Sequence, residues 1–309
     1  MSSGEPSCTP PFPVAQPGAV GCWRCRDREL TWGERTLVMG VVNVTPDSFF
    51  DGGHHAGTDA AVEHGQALWA AGADILDIGG ESSRPGAEPV AAKEECRRVL
   101  PVIARLATTT QAVLSVDTCK AKVARAALAA GAHVVNDITA GQADGAMIPL
   151  LRKYDAGFIL MHMQGEPRTM QADPHYADVV EEVYQFLAAR AQAVIAAGVA
   201  VANLAVDPGI GFGKTFDHNW TLLAHLPRFA ALGVPLLVGA SRKRFLGELC
   251  GRPVEERLAA SLAVAALAAE RGAAIIRTHD VKETCDAVRV ADRLRSATSH
   301  TTERSTCGD

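Results

Sequence analysis

Aromatic residues make up only 5% of this 309-residue chain, so any core must be built from Ala, Val, Leu and Ile. No apolar run is long enough for a bilayer span, which needs about 20 residues. The longest, Leu258 to Ala269, falls short of that. The N-terminus lacks the charged start and apolar stretch of a signal peptide. Neither sign of charge dominates: 30 basic against 35 acidic residues leave a net charge of −5, which argues against a nucleic-acid partner. A disulfide framework is also missing, because the eight cysteines are scattered through a large chain and read as reduced thiols. Cys22 and Cys25 form a CxxC with no second pair at zinc-site spacing, and read as unpaired cysteines in a mobile segment. The expectation is a cytoplasmic protein with no membrane and no nucleic-acid partner.

What is present is ample apolar material, 48% of the residues, arranged in a repeating pattern. A short β-branched or aliphatic run ends in Asp, Asn or Gly, and an Ala-rich amphipathic helix follows. The runs are Leu37–Val44, Ile75–Ile78, Val113–Val116, Val134–Asn136, Gly157–Met161, Leu204–Val206, Pro235–Val238 and Ala274–Arg277. Several helices end at Gly, among them Gly72, Gly131, Gly198, Gly233 and Gly272. Repetition without a composition break predicts a single-domain (β/α)8 TIM barrel over residues 30–297 rather than an open doubly wound sheet. The dinucleotide fingerprint of such a sheet is missing after the first run. Leu30–Thr36 reads as a short hairpin at the barrel bottom. Residues 1–29, rich in Pro, Ser and Gly, and the polar residues 298–309 read as disordered tails.

Reactive groups in such a barrel gather where strands end, at the C-terminal face. Those ends carry Asn43, Asp47, Ser48 and Phe49; then Gly79 to Gly86, with Ser83, Arg84 and Pro85; then Asp117, Asn136, Asp207, Ser241, Lys243, Arg277 and His279. A lone Asp or Asn there is usually a helix cap. Caps do not require the Lys, Arg and His of the last two loops. Arg277 and His279, just before a helix start, make an anion site. Asp117, Asn136 and Asp207 offer acceptors and an amide suited to a flat heterocycle bearing N–H donors, with Lys243 at its edge near a ring carbonyl. A heterocycle and a phosphate in one mouth fit a group-transfer enzyme.

The segments MGVVNVTPDSFFDGG, DIGGESSRPGA, SVDT, VVNDITAG, DPGIGFGK, GASRKRFLG and IIRTHDV run in order from Val38 to Val281. Together they resemble the dihydropteroate synthase family of pterin-binding enzymes. The resemblance implies a folate-pathway transferase that moves a pterinylmethyl group. The amine of p-aminobenzoate displaces pyrophosphate from 6-hydroxymethyl-7,8-dihydropterin diphosphate. It implies Mg²⁺ as cofactor at Asn43, and pterin diphosphate held by Ser83, Asp117, Asn136, Asp207, Lys243, Arg277 and His279, with Met161 and Phe212 against the ring. Phe49, Arg84, Pro85 and Ser241 fall where p-aminobenzoate binds and sulfonamides compete. Catalytic roles go to Asp117, Lys243, Arg277 and His279, and a homodimer through the late helices is implied. Ser83 stands where the family often has Thr, keeping the hydroxyl.

Because an arylamine is neutral at pH 7, no Ser-His-Asp or Cys-His pair is required, and none is evident in the motifs. Two alternatives remain at this level. A pterin-dependent methyltransferase domain would share the acceptors but has no use for the SRK and RTH segments. A catalytically silent pterin-binding paralogue would be expected to have lost parts of the first two loops, which are intact.

Overall fold

A computed structural model describes residues 19–44, 54–82 and 86–305, with the side chains of 54–56 and 298–305 excepted. Eight parallel strands carry the fold: β3 (Leu37–Asn43), β4 (Ile75–Gly79), β5 (Val113–Asp117), β6 (Val134–Asp137), β7 (Gly157–Met161), β8 (Leu204–Asp207), β9 (Leu237–Val238) and β10 (Ile275–Thr278). They pair in the order β8-β7-β6-β5-β4-β3-β10-β9. A parallel bridge between Val206 and Leu236 joins the two ends, with Val206 N–H donating to Pro235 O at 2.9 Å. The sheet thus rolls into the (β/α)8 barrel that the repeat predicts.

The connecting helices are α1 (His54–Ala70), α2 (Ala92–Thr109), α3 (Ala121–Ala130), α4 (Met147–Tyr154), α5 (Val179–Ala196), α6 (Phe216–Ala224), α7 (Leu226–Ala230), α8 (Arg244–Cys250), α9 (Leu258–Glu270) and α10 (Val281–Ser305). Outward strand residues such as Val38, Leu76, Leu114, Val135, Leu160, Val206 and Ile276 pack under these helices in one large apolar cluster. Among the described residues no helix is long and apolar enough to cross a membrane.

Side chains on a strand alternate between faces, so the barrel interior is read in steps of two. The lowest inward layer is apolar: Met39, Ile75, Val113, Val134, Ile159, Ala205, Leu237 and Ile275 cluster there. One step up, the inward positions are Val41, Asp77, Ser115, Asn136, Met161, Asp207, Gly239 and Arg277, and the interior turns polar. That change of character within two residues separates a dry foundation from a functional mouth.

Both tail boundaries need correction. The hairpin is not Leu30–Thr36 but β1 (Gly21–Cys25) paired with β2 (Arg28–Trp32), turning at Arg26 and Asp27. Residues 19–29 are therefore ordered, and the rest of the expected tail, residues 1–18, lies outside the described residues. The ordering force is burial: Trp23 and Cys25 point into the lowest apolar layer, while Arg24 between them faces polar partners. Trp23 is fully buried and donates its indole N–H to Asn203 O at 2.9 Å. Cys25 is thus a plug residue, and Cys22 an exposed thiol beside it. At the other end α10 continues to Ser305, past the expected boundary at 297. No Pro or Gly interrupts the chain between Val281 and Ser305, so nothing stops the helix earlier.

Candidate active site

The polar layer opens into a pocket of about 460 Å³, its mouth included, lined by Val41, Asp117, Asn136, Ile138, Met161, Asp207, Phe212, Gly239, Ser241, Lys243, Arg277 and His279. Asp117, Asn136, Met161, Asp207 and Arg277 sit on inward strand positions, so the rigid barrel fixes them. The others come from the loops just beyond.

Arg277 lies across the interior. Its Nε donates to Asp77 Oδ2 at 2.7 Å, and its Nη2 to Asp117 Oδ2 at 3.0 Å. Asn136 Nδ2 donates to the same Asp77 oxygen at 3.0 Å. Burial pushes the Asp117 carboxyl up to about 7; the Asp77 charge adds to this and Arg277 opposes it. Asp207 is also raised by burial, against the pull of the Gly209 N–H, 2.7 Å from its Oδ1, and of Lys243 and Lys214. Burial lowers Lys243 to about 8. Its ammonium donates to Ile210 O and stands 4.3 Å from the Phe212 ring centroid, a cation–π contact that holds both side chains at the rim.

The loop after β8 is shaped by its glycines. Gly209 has φ +68°, and a Cβ there would lie 1.9 Å from the His162 carbonyl oxygen, so no other residue fits without moving the neighbouring loop. Lys214, 2% exposed, ties the two loops together: its Nζ is 3.0 Å from both His162 Nδ1 and Phe212 O. His162 is therefore a structural hydrogen-bonding residue. Ser241 Oγ and His279 Nδ1 are 3.0 Å apart, and the His279 N–H donates to Ser241 Oγ at 3.2 Å. Arg242, at φ +57°, forms a fork on Asp280 and so draws together the loops after β9 and β10. Cations and acceptors thus share one cavity.

Residues 39–279 match the profile of the pterin binding enzyme family. The chain is 47% identical over 260 residues to the dihydropteroate synthase of Escherichia coli strain K12, covering 84% of this chain and 92% of the relative. It superposes with a TM-score of 0.84 on the Xanthomonas albilineans dihydropteroate synthase solved with 4-aminobenzoic acid, at 50% identity over 90% of this chain and 99% of that one. The Yersinia pestis enzyme solved with a sulfonamide drug complex also gives 0.84, at 45% identity over 89% of this chain and all of that one. The chain is a member of the dihydropteroate synthase family.

Of the family's site residues read from the motifs, the fold brings nine into one pocket lining: Asp117, Asn136, Met161, Asp207, Phe212, Ser241, Lys243, Arg277 and His279. Asn43 stands beside them on β3, opposite Gly79, where a Cβ would lie 4.0 Å from Asn43 Oδ1 and 3.6 Å from Asp117 Cβ. The residues expected from the first two loops, Phe49, Ser83, Arg84 and Pro85, lie outside the described residues. The sequence reading misses Asp77, fully buried beneath the pocket. Asp77 lies two residues before a strand end, away from the ends where the other polar residues stand. The signal available was a charged residue inside the apolar run Ile75–Ile78.

Proposed function

We propose that this pocket joins p-aminobenzoate to 6-hydroxymethyl-7,8-dihydropterin diphosphate, forming 7,8-dihydropteroate and pyrophosphate. The observation that carries the reading is the convergence of Asp117, Asn136 and Asp207 with Lys243, Arg277 and His279 in one cavity. Two carboxylates and an amide accept from the N–H groups of the pterin, and Met161 and Phe212 take its faces. The diphosphate lies toward Arg277, His279 and the start of α10, where backbone N–H groups are unpaired by helix geometry.

The amine nitrogen of p-aminobenzoate forms a bond to the exocyclic methylene carbon of the pterin. The carbon–oxygen bond to the diphosphate breaks, pyrophosphate leaves with the electron pair, and the amine gives up one proton. Positive charge that develops on the methylene is shared with the electron-rich ring, whose N–H groups Asp117 and Asp207 hold. Arg277 and His279 stabilise the charge appearing on the leaving oxygens. Ser241, bonded to His279, stands at the mouth, and p-aminobenzoate would bind on that side, where the motifs also assign Phe49, Arg84 and Pro85. Sulfonamides would occupy the same subsite.

Mg²⁺ fits this pocket as a partner of substrate more than of protein. Among the described residues no three His, Cys, Asp or Glu gather at a metal site. Mg²⁺ commonly keeps its waters and binds through one or two protein oxygens plus phosphate. The amide oxygen of Asn43, with Gly79 leaving room beside it, is the hard donor available. When bound there, the ion would neutralise diphosphate charge.

A cytoplasmic homodimer completes the proposal. Scattered free cysteines support a reducing compartment. Leu249, Leu267, Val290 and Leu294 are exposed on α8, α9 and α10, and give those helices an apolar face for a second copy. The deciding assay mixes pure protein, pterin diphosphate, p-aminobenzoate and Mg²⁺ and follows pyrophosphate release. Release that depends on both substrates is expected. Pterin binding without release would favour a silent paralogue, and methyl transfer from methyltetrahydrofolate to a corrinoid acceptor would favour the methyltransferase reading.

A further inference from the structure

Asp77 is a buried carboxylate that lines no part of the pocket, yet it touches two residues that do. Its Oδ2 accepts from Arg277 Nε at 2.7 Å and from Asn136 Nδ2 at 3.0 Å. Its Oδ1 is buried with no hydrogen-bond partner. A buried charge left half satisfied is costly, and one Arg contact does not require it to sit under Asn136 as well. The second contact has a chemical consequence. A carboxylate oxygen paired with an arginine can only accept, so the edge of the Asn136 amide facing it must be the NH₂ edge. An amide has two edges, and the one left for the pocket is the carbonyl.

We propose that Asp77 is a positioning residue that sets pterin recognition by holding Asn136 as an acceptor. Asp117, Asn136 and Asp207 then present acceptors from three strands, and the pocket selects a ring edge made of N–H donors. Without Asp77, Asn136 is free to turn its NH₂ group toward the ligand, where it opposes those donors. Asp77 lines no part of the pocket, and its effect on which ring edge is selected passes through Asn136. This inference rests on the pterin reading of the site.

The test is a double-mutant cycle on the full chain, read by calorimetric titration with 6-hydroxymethylpterin, which has no leaving group. Asp77→Asn keeps the shape and should weaken binding by about tenfold, the scale of one well-placed hydrogen bond. On an Asn136→Ala background the same substitution should cost about twofold or less. Equal losses on both backgrounds, or no loss on the native one, overturn the proposal. A second measurement does not depend on how the variants fold. In ¹⁵N spectra of the ligand-free wild type, the Asn136 side-chain amide should show one downfield, slowly exchanging proton. An amide signal typical of free solvent exposure overturns the proposal as well. Failure of the wild type to bind the pterin at all would sink the functional reading instead, while the amide signal would still judge the Asp77 contact.

Discussion

Asp117 serves two opposing demands. In its proposed role as a ligand acceptor it must be ionised, yet burial and the neighbouring Asp77 charge push its carboxyl up to about 7. A carboxylate held above its unfolded value makes the folded state take up a proton more readily than the unfolded chain. Its contribution therefore favours the ligand-free fold at acid pH and is lost as pH rises from the ordinary carboxylate range through about 7. A pterin that donates an N–H to the ionised form reverses that trend. Thermal melts with and without 6-hydroxymethylpterin should thus show a larger ligand-induced rise in Tm at pH 8 than at pH 6. Asp117→Asn should flatten the difference; a wild-type shift that grows toward pH 6 would contradict the assignment. At this scale the sequence was informative wherever a polar residue ended a strand, because polar residues there have few structural uses besides caps. At Asp77 and Ser115 it offered only a polar side chain inside an apolar run, with no sign of which way that side chain points. Register decides that, and register is a property of the closed sheet.

Among the elements, the N-terminal hairpin carries the clearest energetic argument. Trp23 fills the bottom of the barrel against Leu37, Met39, Ile75 and their neighbours, and its indole N–H is satisfied by Asn203 O. Trp23→Ala should cost roughly 3–5 kcal/mol of stability, from lost transfer energy and the cavity left behind. Urea unfolding measures it directly. kcat at 25 °C should stay within about twofold, because a packed apolar layer separates the hairpin from the pocket. A matching fall in kcat would show that the two layers are coupled. The strands and most helices were legible because their apolar period repeats. The hairpin was obscured by the Pro-rich composition just before it, although Trp23 and Cys25 alternate with Cys22 and Arg24 as a half-buried strand requires. The short helix α8 was missed outright. It spans Arg244–Cys250, too few residues to show a helical period, yet it starts directly after Lys243 and so fixes that side chain's approach to the pocket.

Considered as a whole molecule, the barrel leaves several large apolar side chains exposed on its last helices. Leu267 is 52% exposed, and Val290 and Leu294 are each 62% exposed one turn apart on α10. Light scattering on the wild type should give twice the 32.5 kDa chain mass, and a Leu267→Glu, Leu294→Glu double variant should give the mass once. An unchanged mass in the variant would place the interface elsewhere. The two halves of the pocket also have separate origins in the sheet. Acceptors stand on β5, β6 and β8, while the cations come from β10 and the loop after β9.

Between β8 and β9 the ladder is reduced to the Val206–Leu236 bridge, which closes the ring. Ladders with few hydrogen bonds open at lower free energy than long ones. Small excursions at this seam change the gap between Asp207 on one side and Ser241 and Lys243 on the other. The joint that closes the cylinder is thus also the spacer between those two sides of the pocket, so a substitution that disturbs the Val206–Leu236 bridge should alter the pocket's width as well as the barrel's closure.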